Sequence, residues 1–193
     1  MIIPPITIAK KIPTVEEHSV IIIPLVPFFS QFKDITSPKW QKVGCGVASL
    51  AMIINFYKND TVSVDTLLEQ GISSGAYLEK AGWTHAGLIS LSKKYGLSGE
   101  SYDFAKLSKT EALKKLQQDL IDGPVMASVH YKFDPKNPIP HLVVIDGIDG
   151  DTVYYNDPAS TVGQKTIPVS KFLASWKNRY IVIRPNTENN RPV

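Results

Sequence analysis

A chain of 193 residues with 43% apolar and 20% charged side chains can bury one core without staples, and it is neither disordered nor fibrous. Its net charge of +3 is spread over lysine pairs (Lys10-Lys11, Lys93-Lys94, Lys114-Lys115) with no basic block, so nucleic-acid binding is not expected. One cysteine excludes an intrachain disulfide framework, and four histidines without metal-ligand spacing argue against zinc, so no metal or cofactor is expected.

No run approaches the roughly 18 apolar residues that a membrane span needs. Val20 to Phe29 is too short and is broken by Pro24 and Pro27. The start, Met1-Ile-Ile-Pro-Pro, carries no charged region ahead of an apolar stretch, so no secretory signal is visible. The compartment is left open, cytoplasmic or secreted after processing.

Residues 1–20, with prolines at 4, 5 and 13, read as an N-terminal arm, 21–185 as one domain and 186–193 as a tail. Residues 21–29 read as a short extended segment and 30–43 as a loop carrying Gln31, Trp40 and Gln41. Cys45 to Tyr57 is apolar nearly all round, which predicts a helix in the middle of the domain. A second helix covers Val64 to Gln70 and is stopped by Gly71. A third has Thr84 as N-cap and Gly96 just past its end. A fourth opens on the capping-box pattern Ser108-Lys-Thr-Glu111 and runs to about Ile121. The period then becomes extended. Val125 to Tyr131 is a strand, His141 to Gly147 and Asp151 to Asn156 a hairpin, and Thr166 to Val169 and Arg179 to Ile183 further strands, with a short helix from Ser170 to Trp176. Helices followed by an antiparallel sheet predict an α+β domain.

Cys45 begins the apolar helix between Gly44 and Gly46. First-turn N–H groups and the positive helix end favour a thiolate, lowering its pKa below the free value of about 8.5. The flanking glycines are expected to let the backbone turn sharply and a substrate carbonyl approach. The competing reading of a lone cysteine is a small buried hydrophobe. A nucleophile needs a base, and the candidates are His141, His130 and His85. His141 stands at the head of the strong strand Leu142-Val-Val-Ile145, where a rigid element begins, whereas His130 and His85 read as structural.

The hairpin supplies an orienting carboxylate. With a three-residue loop Ile148-Asp149-Gly150, His141 lies directly opposite Asp157, and such neighbours stand about 5 Å apart at Cβ. A two-residue loop would place the two side chains on opposite faces. Asp146 is the fallback orienter. For the oxyanion, the Cys45 backbone N–H is one donor, and Gln31 or Gln41 could be the other.

The pieces Val26-Pro27-Phe-Phe-Ser30-Gln31, Gly44-Cys45-Gly46-Val-Ala-Ser-Leu-Ala-Met52, Gly82-Trp-Thr-His-Ala-Gly87, Gly123-Pro124-Val125, His141-Leu-Val-Val-Ile145 and Asn156-Asp157-Pro158-Ala159 occur in the order found in the C39-like, bacteriocin-processing-type cysteine peptidases, which this chain resembles over roughly residues 25–180. The resemblance implies a papain-like fold, with the nucleophile helix packed on an antiparallel sheet. It implies Cys45 as nucleophile, His141 as base and acid, Asp157 as orienter and Gln31 as oxyanion donor. Transporter-linked members carry that glutamine six residues before the cysteine; here Gln31 is fourteen before and Gln41 four before. Their acidic residue before the cysteine is Gly44 here, and no ATP-binding domain is attached, so a stand-alone member is expected.

The expected activity is hydrolysis of a peptide or protein substrate through a thioester, with loop 131–140 and segment 74–85 as substrate walls. The alternatives are a papain-like amidase, deamidase or acyltransferase on a non-protein amide, and a non-catalytic peptide-binding module.

Overall fold

The computed structural model describes residues 23–58, 62–79 and 81–186. The expected arm over 1–20 and residues 187–193 of the expected tail lie outside the described residues. In chain order the elements are α1 (Pro38–Gln41), α2 (Cys45–Tyr57), α3 (Val64–Ser73), β1 (Tyr77–Leu78), β2 (Gly82–Trp83), α4 (His85–Ser92), β3 (Leu97–Asp103), α5 (Lys109–Leu120), β4 (Val125–His130), β5 (Pro140–Asp149), β6 (Thr152–Asn156), β7 (Lys165–Pro168), α6 (Val169–Ser175) and β8 (Trp176–Pro185). Six strands form one antiparallel sheet in the order β3-β8-β4-β5-β6-β7, and β1 and β2 form a separate small hairpin.

The apolar girth of α2 explains its place. Every residue from Gly46 to Ile54 is buried, because α3 and α4 cover one side and the sheet the other. Leu50, Met52 and Ile53 belong to the same cluster as Leu142, Val144 and Ile181 of the sheet. The opposite sheet face packs Val143, Ile145 and Tyr180 against Ala112 and Leu116 of α5 and Phe172 of α6. Strand β5 is thus covered on both faces, which is why it reads as an unbroken apolar run. Each fully buried large aliphatic side chain contributes about 1.5–3 kcal/mol.

The helix ends follow local chemistry. The Thr84 hydroxyl accepts from the Gly87 N–H at 3.1 Å, and the chain leaves the α4 region at Gly96 with φ of 69°. Ser108 and Glu111 complete both halves of the capping box. The expected stop of α3 at Gly71 is corrected: the helix continues to Ser73. Gly71 is there for packing, since a Cβ on it would lie 2.6 Å from the Trp83 ring.

The glycines beside Cys45 need the same correction. Gly44 has ordinary φ and ψ of −79° and 2°, and Gly46 is helical. A Cβ would meet Ile35 Cδ1 at 2.1 Å on Gly44, and Trp83 Cγ at 2.6 Å on Gly46. They admit core side chains against the start of α2 and do not make a sharp turn. Trp83 is held there by its Nε1–H, which donates to the Val43 carbonyl at 2.7 Å. Gly46→Ala is expected to destabilise the fold by about 1–3 kcal/mol through overpacking, offset by no more than about 1 kcal/mol of helix propensity. Urea unfolding checks it, and an unchanged midpoint would refute this packing role.

Several elements differ from expectation. The expected 30–43 loop contains α1, while residues 23–29 of the expected extended segment join neither a helix nor a sheet. Strand β3 and the β1/β2 hairpin were not foreseen. Only Leu97 of β3 is buried, so the strand lacks an apolar signature and exists because it pairs along its length with β8.

The hairpin register also differs. Asp149 pairs with Thr152, so the turn is two residues, Gly150-Asp151, with Gly150 at φ of 52°. Continued unbroken, that register would put His141 and Asp157 on opposite faces. It is interrupted by a bulge at Asp146: Gly147 pairs with Tyr154, but Ile145 pairs with Tyr155 and Val144 with Asn156. One step further, Asp157 comes level with Val143, on the face of His141 but one pleat away. The two side chains are therefore diagonal neighbours, not directly opposed.

Candidate active site

Cys45 is the first residue of α2, half-buried, and lines a cleft of about 800 Å³ between that helix and the sheet. One turn later on the same helix face, the buried Ser49 hydroxyl donates to the Leu142 carbonyl at 3.3 Å. That bond clamps the helix to the strand beside His141. Ser49 was not singled out from sequence; a lone hydroxyl in an apolar helix, four residues after the cysteine, is the signal that could have found it.

His141 sits at the start of β5 with 4% of its surface exposed. Its Nε2 lies 2.7 Å from Asp157 Oδ1, and Tyr131 packs edge-on against the ring at 5.2 Å. Asp157 Oδ1 also accepts from the Ala159 N–H at 2.8 Å, which fixes the turn after β6. The Pro158 carbonyl accepts the Gln31 N–H at 2.8 Å, and the Ser30 hydroxyl donates to the Ser160 carbonyl at 2.8 Å. The loop bearing Gln31 is therefore tied to the turn bearing Asp157.

The electrostatics of the three groups are coupled. Burial opposes a thiolate at Cys45, but the hydrogen bond and charge of His141, with the Leu142 and Gly46 backbone, outweigh it and hold the thiol below its usual value. Burial likewise opposes an imidazolium at His141. Its bonds to Asp157 and Cys45 overcome that and lift it to about 9. Asp157 stays below its ordinary range because His141 and the Ala159 N–H outweigh burial. The combination favours a thiolate–imidazolium pair.

Of the two candidate glutamines, Gln31 lines the cleft and is 2% exposed. Its Nε2 donates to the Gln41 carbonyl at 2.6 Å, which leaves the second amide hydrogen uncommitted. The Gln41 side chain turns instead to the Ile35 carbonyl at 2.9 Å. Asp146 is not near His141: its Oδ2 accepts from Asn156 Nδ2 at 2.8 Å, and burial pushes its carboxyl up to about 7. His130 Nδ1 lies 2.7 Å from the Asn137 carbonyl, outside the cleft lining. His85 does line the cleft, with Ser101 and Ser128 hydroxyls at 2.7 and 3.1 Å from its two nitrogens. Tyr131 and Ile139 from one expected wall, and Tyr77 and Trp83 from the other, line the cleft too.

Among the described residues no cluster of three His, Cys, Asp or Glu could hold a metal ion, and no helix is long and apolar enough to cross a membrane.

The model of the Peptidase_C39 like family matches residues 23–182. A mesentericin transport/processing ATP-binding protein of Leuconostoc mesenteroides is 28% identical over 142 residues, which is 74% of this chain. The match spans only 17% of that relative's length. Among solved structures, a double glycine motif protease from an AMS/PCAT transporter, in complex with a leader peptide, is 24% identical with a TM-score of 0.58, covering 84% of this chain and 93% of that one. A chain described as a C39-like peptidase from Bacillus anthracis is 21% identical with a TM-score of 0.62, covering 84% and 96%. These likenesses show a shared fold of helices on an antiparallel sheet.

Proposed function

The chain belongs to the Peptidase_C39 like family, with the family and fold of bacteriocin-processing-type cysteine peptidases, and from that premise we propose that it hydrolyses peptide bonds with Cys45, His141 and Asp157 acting together. The observation that carries this reading is the 2.7 Å contact between Asp157 and the imidazole that also acts on the Cys45 sulfur. A peptide as substrate is supported by the relative solved with a leader peptide.

The Cys45 thiolate attacks the scissile carbonyl carbon, and its oxygen takes the negative charge. The Cys45 backbone N–H and the free amide hydrogen of Gln31 receive that oxyanion. The His141 imidazolium gives its proton to the leaving amine as the C–N bond breaks, leaving a thioester. Neutral His141 then takes a proton from water, whose oxygen attacks the thioester and releases Cys45 and the acid. Asp157 keeps the ring oriented and stabilises its positive charge throughout.

Alkylation and hydrolysis followed over pH test this directly. Because Cys45 is lowered and His141 raised, the ion pair spans the interval between their titrations, and the limbs belong to the pair as a whole. Iodoacetamide should label Cys45 fast well below pH 8.5, the value of a free thiol being about that, with no fall above pH 9. Peptide hydrolysis should rise over the same acid limb but decline as His141 loses its proton near about 9. Labelling that follows an ordinary thiol, with no peptide turned over, would remove the proposal. Mass spectrometry of the products separates hydrolysis from acyl transfer.

A further inference from the structure

The cleft continues past the catalytic groups across the sheet. Leu142 pairs with Ser128, Ser128 with Arg179 and Arg179 with Asp103, so these four form a row over β5, β4, β8 and β3. At the far end, Lys177 and Arg179 line the same cleft as Cys45. Strand β8 is irregular where they stand. Its register against β4 shifts between Ser128, paired with Arg179, and Val129, paired with Trp176, so Lys177 and Asn178 stand outside the pairing. Asn178 adopts φ of 54°. A bulge of this kind re-aims side chains beside functional sites, and Asn178 fixes this one: its Nδ2 donates to the Phe104 and Leu107 carbonyls at 3.4 Å, and its carbonyl accepts the Phe104 N–H at 2.8 Å.

The two cations are incompletely neutralised. Asp103 reaches only Nε of Arg179, at 2.9 Å, and among the described residues the terminal guanidinium nitrogens and Lys177 Nζ make no bond to protein. Burial and the charge of Arg179 both work against protonated Lys177, a tension that an anion between them would relieve. His85 nearby adds no third charge, because burial and Arg179 lower its pKa and both its nitrogens face serine hydroxyls. Lys42, Lys177 and Arg179 against Glu79 and Asp103 leave the cleft lining one positive charge in excess.

We infer that this end of the cleft is a subsite for an acidic side chain of the peptide substrate, its carboxylate held by Arg179 and Lys177. Arg179 lies two strands from Leu142, about 10 Å at 4.8 Å per strand. An extended peptide rises about 3.3 Å per residue, so with the reach of the arginine the acidic residue stands two to four positions from the scissile bond. The inference rests on the peptidase reading and gives it a substrate class.

The test is a set of fluorescent decapeptides carrying Glu, Gln or Lys at each position on either side of the cleavage point, assayed with the parent protein, Lys177→Gln, Arg179→Gln and Lys177→Glu. At one position two to four residues away, Glu should exceed Gln in kcat/KM by about tenfold or more, as expected of hydrogen bonds to a charged group. That preference should shrink in each glutamine variant and in high salt, and Lys177→Glu should reverse it toward Lys. Lys177→Gln breaks no ion pair, so its result is free of the Arg179–Asp103 contact. Hydrolysis with no Glu preference, or with one that Lys177→Gln leaves intact, overturns the subsite but not the peptidase. Were no peptide hydrolysed, the peptidase reading would fall, and anisotropy of the same peptides on Cys45→Ala would decide the subsite alone. Tighter binding of Glu peptides lost in the added Lys177→Gln supports it, and equal binding of Glu and Gln peptides overturns it.

Discussion

Replacing His141 by alanine is expected to lower kcat/KM for peptide hydrolysis by about 10²–10⁴-fold, the range that a positioned acid–base group supplies. Two losses combine. The Cys45 thiol is held down chiefly by this ring, against burial, so without it the sulfur spends less time ionised at neutral pH. The leaving amine also loses its proton donor. The first loss is readable separately: iodoacetamide labelling of Cys45 should slow near pH 6, and its acid limb should climb toward the free-thiol value of about 8.5. A thermal melt guards against a trivial explanation, since the ring is buried against Tyr131 and its removal leaves a void. If the variant melts like the parent and hydrolyses peptides within tenfold of it, His141 is not the base.

The second large effect is at Asp157, where two substitutions separate orientation from charge. Alanine leaves a buried ring N–H without an acceptor, a penalty of about 1–3 kcal/mol, and it frees the Ala159 N–H that helps define the turn. Hydrolysis should fall by about 10²-fold or more as the ring loses its set direction. Asparagine keeps an oxygen for the ring N–H, an arrangement that Cys-His-Asn sites use, but it removes the negative charge. With that charge gone, His141 falls from its raised value, so the alkaline limb of hydrolysis should move below its parent position near about 9. Kinetics over pH for both variants check this. Equal losses with an unmoved alkaline limb would mean that Asp157 serves the turn and not the ring.

Much of the site was legible because its signals are local. The helix beginning at Cys45, the Thr84 and Ser108 caps, and the apolar strand headed by His141 are each written in a few consecutive residues. The family resemblance then ordered them, and the model matching residues 23–182 agrees with it. What escaped depends on contacts across the chain. Strand β3 has almost no apolar face and exists through its pairing with β8. Gly44, Gly46 and Gly71 looked like backbone devices, yet each clears space for a side chain distant in sequence. The expected loop length was wrong, and the face shared by His141 and Asp157 was nevertheless right, because two departures of one residue cancel. Ser49 is marked only as a lone hydroxyl in an apolar helix, and the Lys177–Arg179 end of the cleft has no pattern of its own.

That cancellation makes the face on which Asp157 emerges depend on one residue, the bulge at Asp146. Were Asp146 drawn into the ladder opposite Tyr155, every later rung would slip by one and the Asp157 carboxylate would emerge beside Val144, turned from the imidazole. The strands would stay paired, and the contact between Asp157 and His141 would be lost. The amide of Asn156 grips Asp146 and is itself braced by the Gln164 N–H at 2.8 Å, so the bulge is tied to the segment that leads into β7.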